Sequence, residues 1–399
     1  MKILKKTAIC LSSLMLSFTI LYSEMVFSLP EEIMMFYGQQ HSSSLIPGVK
    51  IKAEEDVFQA TAKNTVTPER EGEYTASLFV GTIPVRKIQV NVTSEKSLCA
   101  SGCLVGLRLY NRGLIVTDTK TFLCENNKSE SPAALSGIIP GDVIVKINGT
   151  QIMRAVDVAP LLKDGENTLE LTRDNRSKTL VVTPKRDSAD NMLKLGVLVR
   201  DSTAGVGTLT YFDPESGRYG ALGHGISDSD TGVMFDILKG SIEKSSVVSV
   251  KKGQRGEPGE ICGSFSSGGI ICGTAEKNCE SGIFGTLSGE AQFEGRLLPV
   301  GLISQVHPGN ATILSTVDNE TREYGIKILR TIPFGSAAKS MMIKVTDPEL
   351  LEKTGGIIQG MSGSPIIQDG RIVGAVTHVL INDPACGYGI YVEKMFNVY

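Results

Sequence analysis

Glycine punctuates this chain closely enough to exclude a fold built on long helices. Its 43 glycines divide it into short segments rich in Val, Ile, Leu and Thr. Several alternate apolar and polar residues, as Val85–Val92 does, which is the period of a half-buried strand. Short β-branched runs between Gly-rich turns predict a mainly β protein. At 399 residues the chain can build two or three separate cores. A net charge of −3 and a pI near 5.9 leave no electrostatic footprint for nucleic acid.

The N-terminus is built differently. Lys2, Lys5 and Lys6 precede an uncharged, largely apolar run from Thr7 to Ser23, closed by Glu24. A basic flank followed by an apolar run is the pattern of a secretory signal or a single membrane anchor. Residues 1–30 are therefore expected to export the chain and to meet a membrane. Outside the cytoplasm disulfides are permitted. However, the eight cysteines show neither a C-x-x-C pair nor a neighbouring histidine, so no metal site is expected. No cofactor motif is present either. Residues 31–97 read as a small β domain with no visible chemistry.

A second unit spans 98–187. Its centre runs from Ser131 to Gly149. Ser131 is a helix N-cap with Pro132 at the first helical position, Pro140-Gly141-Asp142 is a turn, and a strand ends in the Asn148-Gly149 hairpin signal. Arg154–Leu162 is expected to form a second helix. The ordered set of turns resembles the PDZ domains of exported bacterial peptidases, an α+β fold. That resemblance implies that Leu104, Val105, Gly106 and Leu107 form the loop that captures a peptide's terminal carboxylate.

The remainder, 188–399, holds the candidate chemistry. In Gly360-Met361-Ser362-Gly363-Ser364-Pro365, glycines flank a serine ahead of an apolar hairpin. A serine nucleophile needs such a tight turn to project its hydroxyl and leave amides free for a developing oxyanion. The turn resembles that of chymotrypsin-like peptidases, which implies a β-barrel peptidase domain. It also implies Ser362 as nucleophile and the Gly360 and Ser362 amides as the oxyanion hole. Of four histidines, His41 reads as exposed and His307 as a turn residue. His224 lies between two glycines at the end of a hairpin strand, where a fold can present an imidazole to a cleft. His378 is the reserve base and a pocket wall. For the acid that orients the base, Asp347 precedes Ser362 in the chain but also reads as a helix N-cap before Pro348. Asp228, Asp230, Asp236 and Asp318 remain alternatives.

Taken together, the export segment, the PDZ unit, Gly223-His224-Gly225, the Ser362 turn and the run from Gly374 to Pro384 resemble the stage IV sporulation protein B peptidase family. The resemblance implies a Ser362–His224–Asp347 triad. It also implies a sporulation-specific endopeptidase in the space between forespore and mother-cell membranes, which cuts itself near its N-terminus. A membrane-bound regulator of an intramembrane metalloprotease would be its protein substrate, and that cut would switch on a late sigma factor. Two other readings are a catalytically silent PDZ scaffold of the envelope and an HtrA-like quality-control protease. The second usually carries its PDZ after the peptidase domain, not before it.

Overall fold

The structure is a computed structural model that describes residues 29–396 apart from 43, 47–48, 54–57, 62–64, 265–269, 290–292 and 333–336. The expected export segment therefore lies, but for its last two residues, outside the described residues. Among those described, no helix is long and apolar enough to cross a membrane.

The main sheet of the N-terminal unit has five strands, of which β1 (Glu32–Phe36), β2 (Val49–Ala53), β3 (Gly72–Val80) and β4 (Ile83–Thr93) are the longest. β3 and β4 make a hairpin, β1 joins β4 in parallel, and β2 flanks β3. Alternation along the hairpin turns Ala76, Leu78, Ile88 and Val90 inward onto Leu29 and Met35. Phe36 instead packs with Leu98, Tyr211 and Met395 of the following unit. His41 is buried, not exposed as its serine-rich neighbourhood suggested: the Phe36 N–H donates to its Nε2 at 3.0 Å.

The next strands are β5 (Ser97–Ala100) and the long β6 (Leu104–Thr119). The PDZ-like unit follows with α1 (Pro132–Leu135), β7 (Val143–Ile147), β8 (Asn167–Arg173) and β9 (Arg176–Val182). Ser131 Oγ accepts from Ala134 N at 3.2 Å, as the N-cap reading required. Asn148 and Gly149 both take positive φ, +51° and +79°, in the turn after β7. The unit has its own core of Leu114, Val116, Ala133, Ile144, Leu169 and Leu171. Asp142, fully buried, is satisfied by a two-pronged bond from Arg173 at 2.6 and 2.7 Å. The expected second helix is two single 3-10 turns, Ala155–Asp157 and Ala159–Leu161.

β10 (Val197–Phe212) then returns alongside β6, followed by β11 (Arg218–Ala221), β12 (Ile237–Lys244), β13 (Ile271–Cys279) and β14 (Gly282–Leu287). β6 pairs with both β10 and β12, so the ring β6–β12–β13–β14–β11–β10 closes into a six-stranded barrel. β15 (Arg296–Pro299) extends the sheet through β5. A second closed barrel runs β16 (Gly309–Thr316), β17 (Thr321–Thr331), β18 (Met341–Val345), β21 (Asp383–Tyr391), β20 (Arg371–Leu380) and β19 (Pro365–Gln368). Helix α2 (Pro348–Thr354) follows β18, and α3 (Val392–Phe396) closes the described chain.

This arrangement corrects the expected boundary at 98. Residues 104–111 are a strand of the first barrel, 97–100 extend its sheet, and the PDZ-like unit is inserted between two of the barrel's strands. The first half of β6 pairs with β10 from Leu104↔Thr208 to Tyr110↔Ser202. Its second half carries the PDZ-like core residues Leu114 and Val116. Leu104, Val105, Gly106 and Leu107 are consequently not a carboxylate loop. They are buried strand residues, and Val105–Leu107 are paired on both edges, to Val206–Gly207 and beyond on one side and to Ile242–Lys244 on the other. Their amides lie inside a barrel wall, where no peptide terminus can reach them.

Candidate active site

The two barrels meet at a turn from each. In the second barrel, Met361 N donates to Ile358 O and Ser364 N to Met361 O, coiling the chain tightly ahead of β19. Gly360 (φ +96°) and Gly363 (φ +98°) take the left-handed backbone that makes this turn possible. A Cβ on Gly363 would lie 2.2 Å from Thr208 O and 2.6 Å from Leu222 N, so the turn is also pressed against the first barrel. Gly363 N donates to Val376 O at 2.8 Å, fixing the far side. Among the described residues, the amides of Gly360 and Ser362 have no hydrogen-bond partner. Two unengaged N–H groups around a serine hydroxyl form the donor set that an oxyanion needs.

In the first barrel, β11 ends at Ala221, and Leu222 (φ +67°) and Gly223 (φ +70°) follow in the left-handed region. This double reversal swings His224 off the sheet toward the other barrel. A Cβ on Gly223 would meet Ile390 Cγ2 at 2.9 Å and Thr377 Cγ2 at 3.1 Å. His224 and Ser362 thus line one cavity of about 470 Å³, together with His378, Thr377, Gly360 and Ile358. Ser362 Oγ donates to Thr377 O at 2.7 Å. The His224 Nδ1 lies 2.9 Å from Gly225 O, which places Nδ1–H as donor and leaves Nε2 as the ring's acceptor. Burial pushes the His224 pKa below the ordinary histidine value, against the smaller upward pull of the Gly225 carbonyl. His378, its ring centroid 5.0 Å from that of His224, is lowered by burial first, then by His224 and Lys339. Burial thus biases both rings toward the neutral form that a proton acceptor needs.

Asp347 is placed differently from the triad expectation. It is the N-cap of α2: Oδ1 accepts from Glu349 N at 3.0 Å and Leu350 N at 3.1 Å, and Oδ2 accepts from Gly325 N at 3.2 Å. Its carboxylate is consumed by backbone amides, and the residues lining the Ser362 cavity include no Asp or Glu. The alternatives are engaged elsewhere as well. Asp228 and Asp230 bind Arg200, Asp236 pairs with Arg112, and Asp318 pairs with Lys353 and Arg322.

One residue of the site was not visible in the sequence. Thr208, on β10, clasps the serine turn from the opposite barrel. Its N–H donates to Ser362 O at 2.9 Å and its hydroxyl to Gly360 O at 2.8 Å. Both bonds go to backbone carbonyls more than a hundred residues away, so no local pattern could have marked it.

Two closed barrels, with a serine turn from one and a histidine from the other facing a shared cleft, define a serine peptidase of chymotrypsin-like architecture. A family model described as SpoIVB peptidase S55 matches residues 191–396, just over half of the 399, and a PDZ domain model matches residues 128–173. The chain belongs to the SpoIVB peptidase S55 family, serine peptidases of sporulation, and carries a PDZ domain. A search of curated proteins finds no match.

Proposed function

We propose that the chain is a signalling endopeptidase of spore formation in which Ser362 is the nucleophile and His224 the general base. The observation that carries this reading is that both side chains line one cleft beside the open amides of Gly360 and Ser362. The hydroxyl rotates from Thr377 O to His224 Nε2 and gives up its proton there. Oγ then adds to the scissile carbonyl, whose oxygen takes the negative charge against the two amides. Nε2 returns the proton to the departing amine as the C–N bond breaks, and water hydrolyses the Ser362 ester by the same route. The role expected of a carboxylate, holding the imidazole tautomer, falls here to Gly225 O. Ile357, Ile358, Val379 and Ile381 wall the cavity without a charge, which favours an uncharged side chain at the cut bond.

In the cell, this chemistry fits cleavage of the chain itself near its N-terminus and then of a membrane-bound regulator of an intramembrane metalloprotease. Both would follow export into the space between forespore and mother-cell membranes. N-terminal sequencing of fragments from wild type and the Ser362→Ala variant tests the reading. Wild type is expected to shorten itself and the variant to stay full length. Equal shortening of the two would remove Ser362 from the mechanism.

A further inference from the structure

β10 runs through both the PDZ domain and the first barrel. At its C-terminal end Leu209–Phe212 pairs with β11 on one edge, and Tyr211 and Phe212 pair with β5 on the other. Back from there, β6 covers the β5 side all the way to Val197. On the β11 side, among the described residues, no strand joins Val197–Gly207.

This open edge starts at the catalytic turn. Leu222 N donates to Thr208 O and Thr208 N donates to Ser362 O, and the N–H and C=O of one strand residue point to the same side. Thr203–Val206 then line the cavity that holds Ser362 and His224, with Ala204 and Gly205 exposed. Further back, Val197 and Val199 pack on the PDZ core beside Val158, Leu161 and Leu162. The strand begins at the Leu195-Gly196 turn, which is held rigidly. Ala133 N donates to Leu195 O and Lys120 N to Gly196 O, and Gly196 has φ +71° with no room for a Cβ, which would lie 2.5 Å from Lys120 O. A small apolar loop opening an unpaired strand is the arrangement in which PDZ domains take a peptide terminus. Here it lies at 195–199 and not at 104–107.

We propose that this edge is one continuous track for an extended substrate tail. The tail's free carboxylate sits at the Leu195–Val197 turn, and its terminal apolar side chain lies against Val199 and Leu161. The tail adds antiparallel to β10, so its direction carries it from the Gly196 turn, read backwards, to Ser362. The bond cut is then set by distance from the C-terminus. Val197–Val206 spans about ten residues, roughly 30 Å of strand, so peptides of about ten residues are released. Shortening at the chain's own N-terminus uses only the Ser362 end of the track.

The inference rests on the serine peptidase reading. The full chain is given synthetic peptides of repeating Ala-Val-Ser composition, roughly 20 and 30 residues long, each as free acid and as C-terminal amide. Mass spectrometry is expected to find C-terminal fragments of about ten residues from both lengths. The amide should raise KM about tenfold or more, the scale of a lost charge-assisted hydrogen bond. Cuts at a fixed distance from the N-terminus, cuts scattered along the repeat, or equal KM for acid and amide would overturn the track. A fluorophosphonate distinguishes the two failures. Labelling of Ser362 with unregistered cutting sinks only the track, whereas no labelling and no cutting sinks the peptidase reading beneath it.

Discussion

Replacing Thr208 by Val isolates the contact that joins the two halves of the active site. The side chain is 1% exposed, and Val matches its shape while removing the hydroxyl that donates to Gly360 O at 2.8 Å. The backbone bond from Thr208 N to Ser362 O survives. A buried carbonyl left without its donor costs about 1–3 kcal/mol, and the flexible glycine turn can recover part of that by rotating Gly360 O toward solvent. That rotation drags the adjacent peptide planes, which carry the oxyanion donors. Misplacing one such donor costs up to about a hundredfold or more in kcat. The expected result is a kcat lowered roughly 10- to 100-fold with KM nearly unchanged, the signature of an interaction felt mainly in the transition state. Initial rates on a peptide substrate, together with the rate of fluorophosphonate labelling at Ser362, measure it. Thr208→Ser keeps the hydroxyl and should stay within a few-fold of wild type. A Val variant with wild-type kcat, or a Ser variant as slow as Val, would refute the reasoning.

Three further outcomes are expected. Gly363→Ala forces a methyl group to within 2.2 Å of Thr208 O at φ +98°; a strain of roughly 3 kcal/mol or more should separate the barrels and abolish labelling of Ser362, and normal labelling would contradict it. Because burial lowers the His224 pKa, the neutral base persists below pH 6.5, so kcat/KM should hold steady as pH falls through 6.5 and drop only at lower pH; an acid limb centred at or above 6.5 would count against His224. Asp347→Asn retains an N-cap and should keep kcat within a few-fold, whereas Asp347→Ala should lose about 0.5–2 kcal/mol of stability; a fall of about 10⁴ in kcat for the Asn variant, the scale set by a triad acid, would return Asp347 to catalysis.

Features whose geometry is local were readable from the residues alone. Gly360 and Gly363 had to be glycine for the turn, and Ser131 with Pro132 had to start a helix. Asn148-Gly149 had to reverse the chain, and Asp347 before Pro348 made the cap it advertised. Asp369-Gly370, with φ of +50° and +74°, closed the apolar hairpin expected after the nucleophile. What failed depended on distant pairing. Leu104-Val105-Gly106-Leu107 reads equally well as a loop or a strand, and the choice is made by partners near 206 and 243. The same ambiguity hid Leu195-Gly196-Val197 on the far side of the PDZ domain. His41 looked exposed because the strand it pairs with, at Val66, lies outside its own segment.

The insertion of the PDZ domain between β6 and β10 has a consequence for the order in which this protein is made. Leu104 must wait for Thr208 before the first barrel can close, so a chain emerging N-terminus first completes its PDZ domain while the barrel around it is still open. Contacts of such long sequence separation form late. Until the last strands of the second barrel arrive, His224 has no Ser362 to face, and a truncated or stalled chain lacks the two-barrel cleft.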